Sequence, residues 1–309
     1  MFSGAAMDFI DDIKRSYLQG SMLLRIIFIN IGVFVLLHIV AIVALLFNAN
    51  GNELISWVEL PSELSLLIRR PWTLLTYMFA HYGFLHILFN MLWLYWLGRI
   101  FMEYFSPKQL TGLYLLGGLG GAALFLLATN LLPLFTTHGN VYFLLGASVS
   151  VVAIVVATAF YAPDYKIGLL FIGEVSIKWI ALVTVLISIF SLDGGNAGGN
   201  IAHIGGAIVG AWFALSIKRG RDITRPLNAC IDAVVGLFNG RSMKIPKPKR
   251  PSRPTPKSKA RTTSGNRPAD TVSEEELDNI LKKIKAAGYD ALTDEEKDKL
   301  FKASRRRQA

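Results

Sequence analysis

Cysteine is almost absent. The 309-residue chain has one, Cys230, which excludes an intrachain disulfide and a cysteine-rich metal site. Charge is also scarce. Asp, Glu, Lys and Arg supply 17% of the residues against 52% hydrophobic, with a mean hydropathy of +0.43. That balance excludes an ordinary soluble globular domain. Most of the charges present lie before Arg25 or after Lys218. Lys and Arg are missing from 133–140 and 191–199, and acidic residues are missing from 242–269. The net charge of +10 does not indicate nucleic acid as a partner. The positive residues flank the hydrophobic block, as orientation signals and headgroup contacts do. A cleavable signal peptide is not expected, because the first apolar run is too long for an h-region.

Six apolar runs fill the middle of the chain: Leu23–Phe47, Leu74–Phe101, Gln109–Leu132, Val141–Ala162, Ile167–Phe190 and Asn200–Ile217. Each is long enough to enter or span a bilayer. The fold class expected is an all-α membrane protein, a six-transmembrane-helix bundle with a cytoplasmic C-terminal extension. Basic residues near the first run, after the second and after the last, with no Lys or Arg in the loops after the third and fifth, put both termini in the cytoplasm. The expected organisation is a polar segment over 1–20, a membrane domain over 21–222 and an amphipathic surface segment over 223–241. A basic linker rich in Pro and Ser follows over 242–270, then a small helical tail over 271–309. The tail carries the capping-box patterns Ser273-x-x-Glu276 and Thr293-x-x-Glu296. Its partner is not legible.

Polar groups at the centre of apolar runs are expensive, and three runs have them. Gly146-Ala147-Ser148 lies in the fourth run, His203 in the sixth, and His81, His86 and Asn90 in the second. Ser148 alone reads as a packing residue, because small residues let membrane helices approach closely. A serine becomes a nucleophile when a base takes its proton, and histidine titrates in the right range. Loop charge and position within the run put Ser148 and His203 at similar depth on one side. No carboxylate is placed to orient His203, so the pair reads as a dyad. His86 and Asn90 are four residues apart and share a helical face. With the Ser148 backbone N–H they are candidate oxyanion donors. Gly198, Ala202, Gly206 and Gly210 form a ridge of small residues beside His203. His38 in the first run reads as a packing residue. Glu174 and Lys178 are expected to pair at i,i+4. No cofactor or metal is called for.

Gly146-Ala147-Ser148, Ala202-His203-x-x-Gly206-x-x-x-Gly210, and His81 with His86-Ile87-Leu88-Phe89-Asn90 resemble the rhomboid intramembrane serine proteases. Pro71-Trp72-Thr73-Leu74-Leu75-Thr76-Tyr77 is similar to the segment leading into their second helix. The resemblance covers about residues 20–220. It implies a rhomboid-like six-helix bundle with a water-accessible cavity, and cleavage of single-span membrane proteins near their extracytoplasmic end. Ser148 and His203 would be catalytic, His86 and Asn90 the oxyanion hole, and His81, Gly146 and Gly206 supporting residues. The partners expected are such substrates and the lipid bilayer, in a bacterial inner membrane. Three positions depart from the pattern: Val149 replaces a common Gly, Val152 a common aromatic, and Val58 the Arg of a Trp-Arg pair. The alternative is a catalytically weak rhomboid-like protein that binds or escorts membrane clients. A transporter is disfavoured, because no inverted repeat or pair of broken charged helices is present.

Overall fold

A computed structural model describes residues 21–48, 53, 55–137, 140–169, 173–238, 274–287 and 292–306. The expected N-terminal segment 1–20 and basic linker 242–270 lie outside the described residues. The chain divides into two compact units, Met1–Lys244 and Ile245–Ala309.

The first unit is helical. Its longest helices are α1 (Met22–Leu46), α4 (Phe84–Tyr104), α5 (Pro107–Leu131) and α9 (Ala197–Lys218), each long and apolar enough to cross a bilayer. Two further apolar helices have 14 residues each: α7 (Ser148–Tyr161) and α8 (Ile177–Phe190). Short pieces connect them: β1 (Leu60–Pro61), α2 (Leu64–Arg69), α3 (Thr73–Thr76), α6 (Pro133–Thr136), β2 (Phe143–Leu144), and a hairpin of β3 (Lys166–Leu169) and β4 (Gly173–Ser176). Helix α10 (Arg225–Phe238) closes the unit. Integral membrane character follows from these apolar helices. His38 packs as expected, its Nδ1 2.9 Å from the Phe34 carbonyl and its ring against Phe34.

Two boundaries differ from the hydropathy reading. The second run does not begin its long helix at Leu74. α3 gives way to a 3₁₀ turn over Tyr77–Phe79, and α4 starts ten residues later, at Phe84. The non-helical backbone here is buried in protein, where its polar groups find partners. Tyr114 donates its hydroxyl to the Met78 carbonyl at 2.8 Å, and Tyr77 donates to the Gly118 carbonyl at 2.7 Å. Asn30 of α1 reaches the same Tyr114 hydroxyl at 3.2 Å. The fifth run is likewise divided. Residues 166–169 and 173–176 pair as antiparallel strands, with Ile167 opposite Val175, and the helix starts at Ile177. The hairpin also corrects the Glu174–Lys178 pairing. Glu174 meets Lys166 at 3.1 Å, and Lys178 meets Asp164 at 2.6 Å. These exposed pairs are worth about 0–1 kcal/mol each.

Helix α7 is the centre of the unit. Every residue from Val149 to Ala159 is buried, so the helix touches protein all round. Glycines make the enclosure tight. A Cβ on Gly206 or Gly210 of α9 would overlap the carbonyl oxygens of Val149 or Ala153, and one on Gly117 of α5 would overlap the Ala153 side chain. The small-residue ridge read from the sequence thus serves as the seat of α7.

Helix α5 begins on a full capping box, Ser106 with Gln109, and has Pro107 at its first position. Near that end α10 is tied to it through Asn228, which donates to the Lys108 carbonyl at 3.0 Å, and through the Lys108–Asp232 pair at 2.6 Å.

The second unit contains α11 (Glu274–Ala287) and α12 (Asp294–Arg306). Thr293 and Glu296 form the expected capping box, with the Thr293 N–H donating to Glu296 at 2.8 Å. Ile280 and Leu292 are buried, and the pairs Lys283–Glu296 and Lys299–Glu276 bridge the helices. The Lys283 ammonium holds the Glu296 carboxyl below its ordinary range.

Candidate active site

Ser148 is the first residue of α7, and His203 lies in α9. The separation of 55 positions is closed by the fold: His203 Nε2 stands 2.8 Å from Ser148 Oγ. That is hydrogen-bond distance for proton transfer between a nucleophile and its base. Both side chains are half-buried. The glycine contacts fix the separation, because α7 and α9 meet backbone to backbone at Val149 and Gly206.

The loop entering α7 is pinned on each side. β2 pairs with β1, placing Leu144 opposite Leu60. Ser62 exchanges bonds with Tyr142 at 2.8 and 2.9 Å, and Asn130 donates to the Ser62 carbonyl at 2.9 Å. The Gly146 N–H donates to the Tyr77 carbonyl at 2.9 Å, and the Ala147 N–H to His81 Nε2 at 3.4 Å. His81 therefore holds the backbone beside the serine from a buried position. Gly146 has φ +122°, a conformation that side-chain-bearing residues rarely adopt. A Cβ there would also lie 3.0 Å from the His86 ring and 3.8 Å from Ser148 Oγ. The missing side chain is what lets the His86 imidazole approach the serine.

Asn90 is buried, and its amide donates to the His86 carbonyl one turn back at 2.9 Å. The structure thus brings Ser148, His203, His86, Asn90, His81 and Gly146 into one neighbourhood, with Gly206 beneath it. As the first residue of α7, Ser148 presents a backbone N–H with no intrahelical acceptor. Such a donor is suited to a developing negative charge.

A groove of about 650 Å³ opens from the dyad. Phe89, Asn90 and Trp93 of α4 form one wall and Trp179, Val183 and Ile187 of α8 another, with Val152 and Val155 of α7 at the back. The lining is almost wholly apolar except around Ser148 and His203, which suits an apolar chain with one polar bond to be handled. Two of the unusual residues find places here. Val149 fills the space between Gly121 and Gly206, and Val152 lines the groove. The sequence reading missed Ser188 of α8, whose Oγ is 3.2 Å from His203 Nδ1. Its only local signal is a small polar residue in an apolar helix, which is commonplace. Asn200 was likewise passed over. It lines the groove one turn before His203 and donates to the Ser191 carbonyl at 2.7 Å.

A family model described as the Rhomboid domain matches residues 69–220. A relative described as "RHOMBOID-like protein 12, mitochondrial", from Arabidopsis thaliana, is 30% identical over 223 residues. That match covers 67% of this chain and 62% of the relative, so the chain spans less than two thirds of the relative's length.

Proposed function

The chain belongs to the rhomboid family, and from that premise we propose that it is an intramembrane serine endopeptidase. Its substrates are single-span membrane proteins, cut near their extracytoplasmic end. The observation that carries this reading is the 2.8 Å approach of His203 Nε2 to Ser148 Oγ at the head of an apolar groove.

In the proposed reaction His203 Nε2 takes the Ser148 hydroxyl proton as Oγ bonds to the peptide carbonyl carbon. The oxyanion is held by the Ser148 N–H, His86 and Asn90. Collapse breaks the C–N bond, and His203 returns the proton to the leaving amine. Water then attacks the acyl-enzyme, with His203 again accepting a proton, and Ser148 is restored. We further propose that α1, α4, α5, α7, α8 and α9 are the six spans, with both termini cytoplasmic. Basic residues Lys218, Arg219, Arg221 and Arg225 follow the last span, while 191–199 has neither Lys nor Arg. Reporter fusions at Ala197 and Ala309 test this. They are expected outside and inside, and an outside signal at Ala309 would sink the assignment.

The test of the chemistry is labelling by a fluorophosphonate probe, with cleavage of a membrane-anchored substrate by purified protein. Wild type is expected to label and cut, and Ser148→Ala to do neither. Cleavage by Ser148→Ala at the wild-type rate would refute the protease reading. A wild type that neither labels nor cuts, yet retains single-span clients, would favour the escort role.

A further inference from the structure

A neutral imidazole has one N–H and one lone pair, and a base facing serine needs its lone pair on the nearer nitrogen. Among the hydrogen bonds of the described residues, the partner at the far nitrogen, Nδ1, is the Ser188 hydroxyl at 3.2 Å. That hydroxyl has a single hydrogen. It is directed at the Thr184 carbonyl, 3.0 Å away one turn back in α8. The lone pairs of Ser188 Oγ are left to face His203. That arrangement matches a facing ring nitrogen that carries the hydrogen, with the basic lone pair on Nε2, toward Ser148.

We propose that Ser188 is the positioning residue for His203, accepting its Nδ1–H and so fixing the tautomer and ring angle that make Nε2 the base for Ser148. Ser188 is 3% exposed, so bulk water has little access to its hydroxyl. Val152, the nearby aliphatic residue of the groove, has no polar group with which to orient an imidazole. The same bond makes α8 part of the catalytic apparatus. Thr184, Ile187 and Ser188 all line the groove, so a displacement of α8 by an occupant moves the acceptor of the histidine proton.

The inference rests on the protease reading, and the test separates the two. Wild type, Ser188→Ala, Ser188→Thr and Ser148→Ala are compared as full-length protein reconstituted with a single-span substrate. Ser188→Ala is expected to lose about 10- to 100-fold in kcat with KM and melting temperature nearly unchanged. Ser188→Thr keeps the hydroxyl and is expected to recover most of the loss. Wild-type kcat for Ser188→Ala, or equal losses for Ala and Thr, would overturn the positioning role while leaving Ser148-dependent cleavage in place. Cleavage by Ser148→Ala would overturn both readings. A measurement free of any Ser188 variant is ¹⁵N NMR of histidine-labelled wild type, with the His203 signals assigned against His203→Ala. The expected result is a protonated Nδ1 and a bare Nε2. The opposite tautomer overturns the proposal.

Discussion

Helices α7 and α8 have the same length and similar apolar composition, yet they are held in opposite ways. α7 is enclosed, with every residue from Val149 to Ala159 buried and glycines of α5 and α9 against its backbone. α8 has only Ile177, Ala181 and Ser188 buried, while Val183 and Ile187 are 51% and 60% exposed. One wall of the groove is therefore rigid, and it holds Ser148 against His203. The other is lightly packed. Composition alone does not distinguish them. The difference comes from their neighbours: Gly117, Gly121, Gly206 and Gly210 contact α7 or its flanks, and close backbone approach is available only where side chains are absent.

The comparison breaks most sharply at the dyad. Ser148→Ala and His203→Ala are each expected to lower cleavage by about 10⁴-fold or more, and the double variant to be little worse, because members of one catalytic unit are non-additive. Additive losses, tracking melting temperature, would mean that the rigid wall only packs. Asn90→Ala is expected to cost about 10²-fold in kcat, as for loss of one oxyanion donor. An unchanged kcat would remove Asn90 from the oxyanion hole. On the rigid wall, Gly206→Ala is expected to destabilise by about 1–3 kcal/mol through overpacking, read as a lowered melting temperature with activity falling in step. Gly168→Ala in β3, where a Cβ meets nothing within 4 Å, is the control and is expected to be silent. On the open wall, Val183→Ala is expected to change stability by no more than about 0.5 kcal/mol, and to shift KM a few-fold at constant kcat. A large drop in melting temperature for Val183→Ala would show α8 to be as tightly held as α7. The smallest effect is expected for truncation after Arg241, with fluorophosphonate labelling in detergent unchanged.

Which polar residues would come together was more legible than the secondary structure. Ser148, His203, His86 and Asn90 stood out because each is a polar group in an apolar run, and the cost of such groups does not depend on knowing the fold. Helix ends inside those runs were not legible. Tyr77 to Gly83 and Ile167 to Ser176 are apolar enough to read as helix, and hydropathy does not register a turn tied to α5 by Tyr114 donating to the Met78 carbonyl and Tyr77 donating to the Gly118 carbonyl. Ser188 was missed for a related reason. Its contact with His203 is made between two helices, and no local spacing encodes it. The Glu174–Lys178 pairing failed because the i,i+4 rule holds only within one helix, and Glu174 is in a strand.

The brevity of α7 has a hydration consequence. At about 1.5 Å per residue its 14 residues rise roughly 21 Å, while a bilayer's hydrocarbon layer is about 30 Å thick. A lipid-facing helix that short would thin the membrane around it. α7 avoids that penalty because it faces protein, and α5 and α9, with 25 and 22 residues, are long enough to meet the lipid in its place. The missing length, under two helical turns, falls beside three longer helices, α4, α5 and α9. On the proposed six-span reading that length is room for water at membrane depth, and Ser148 is the residue on which α7 begins.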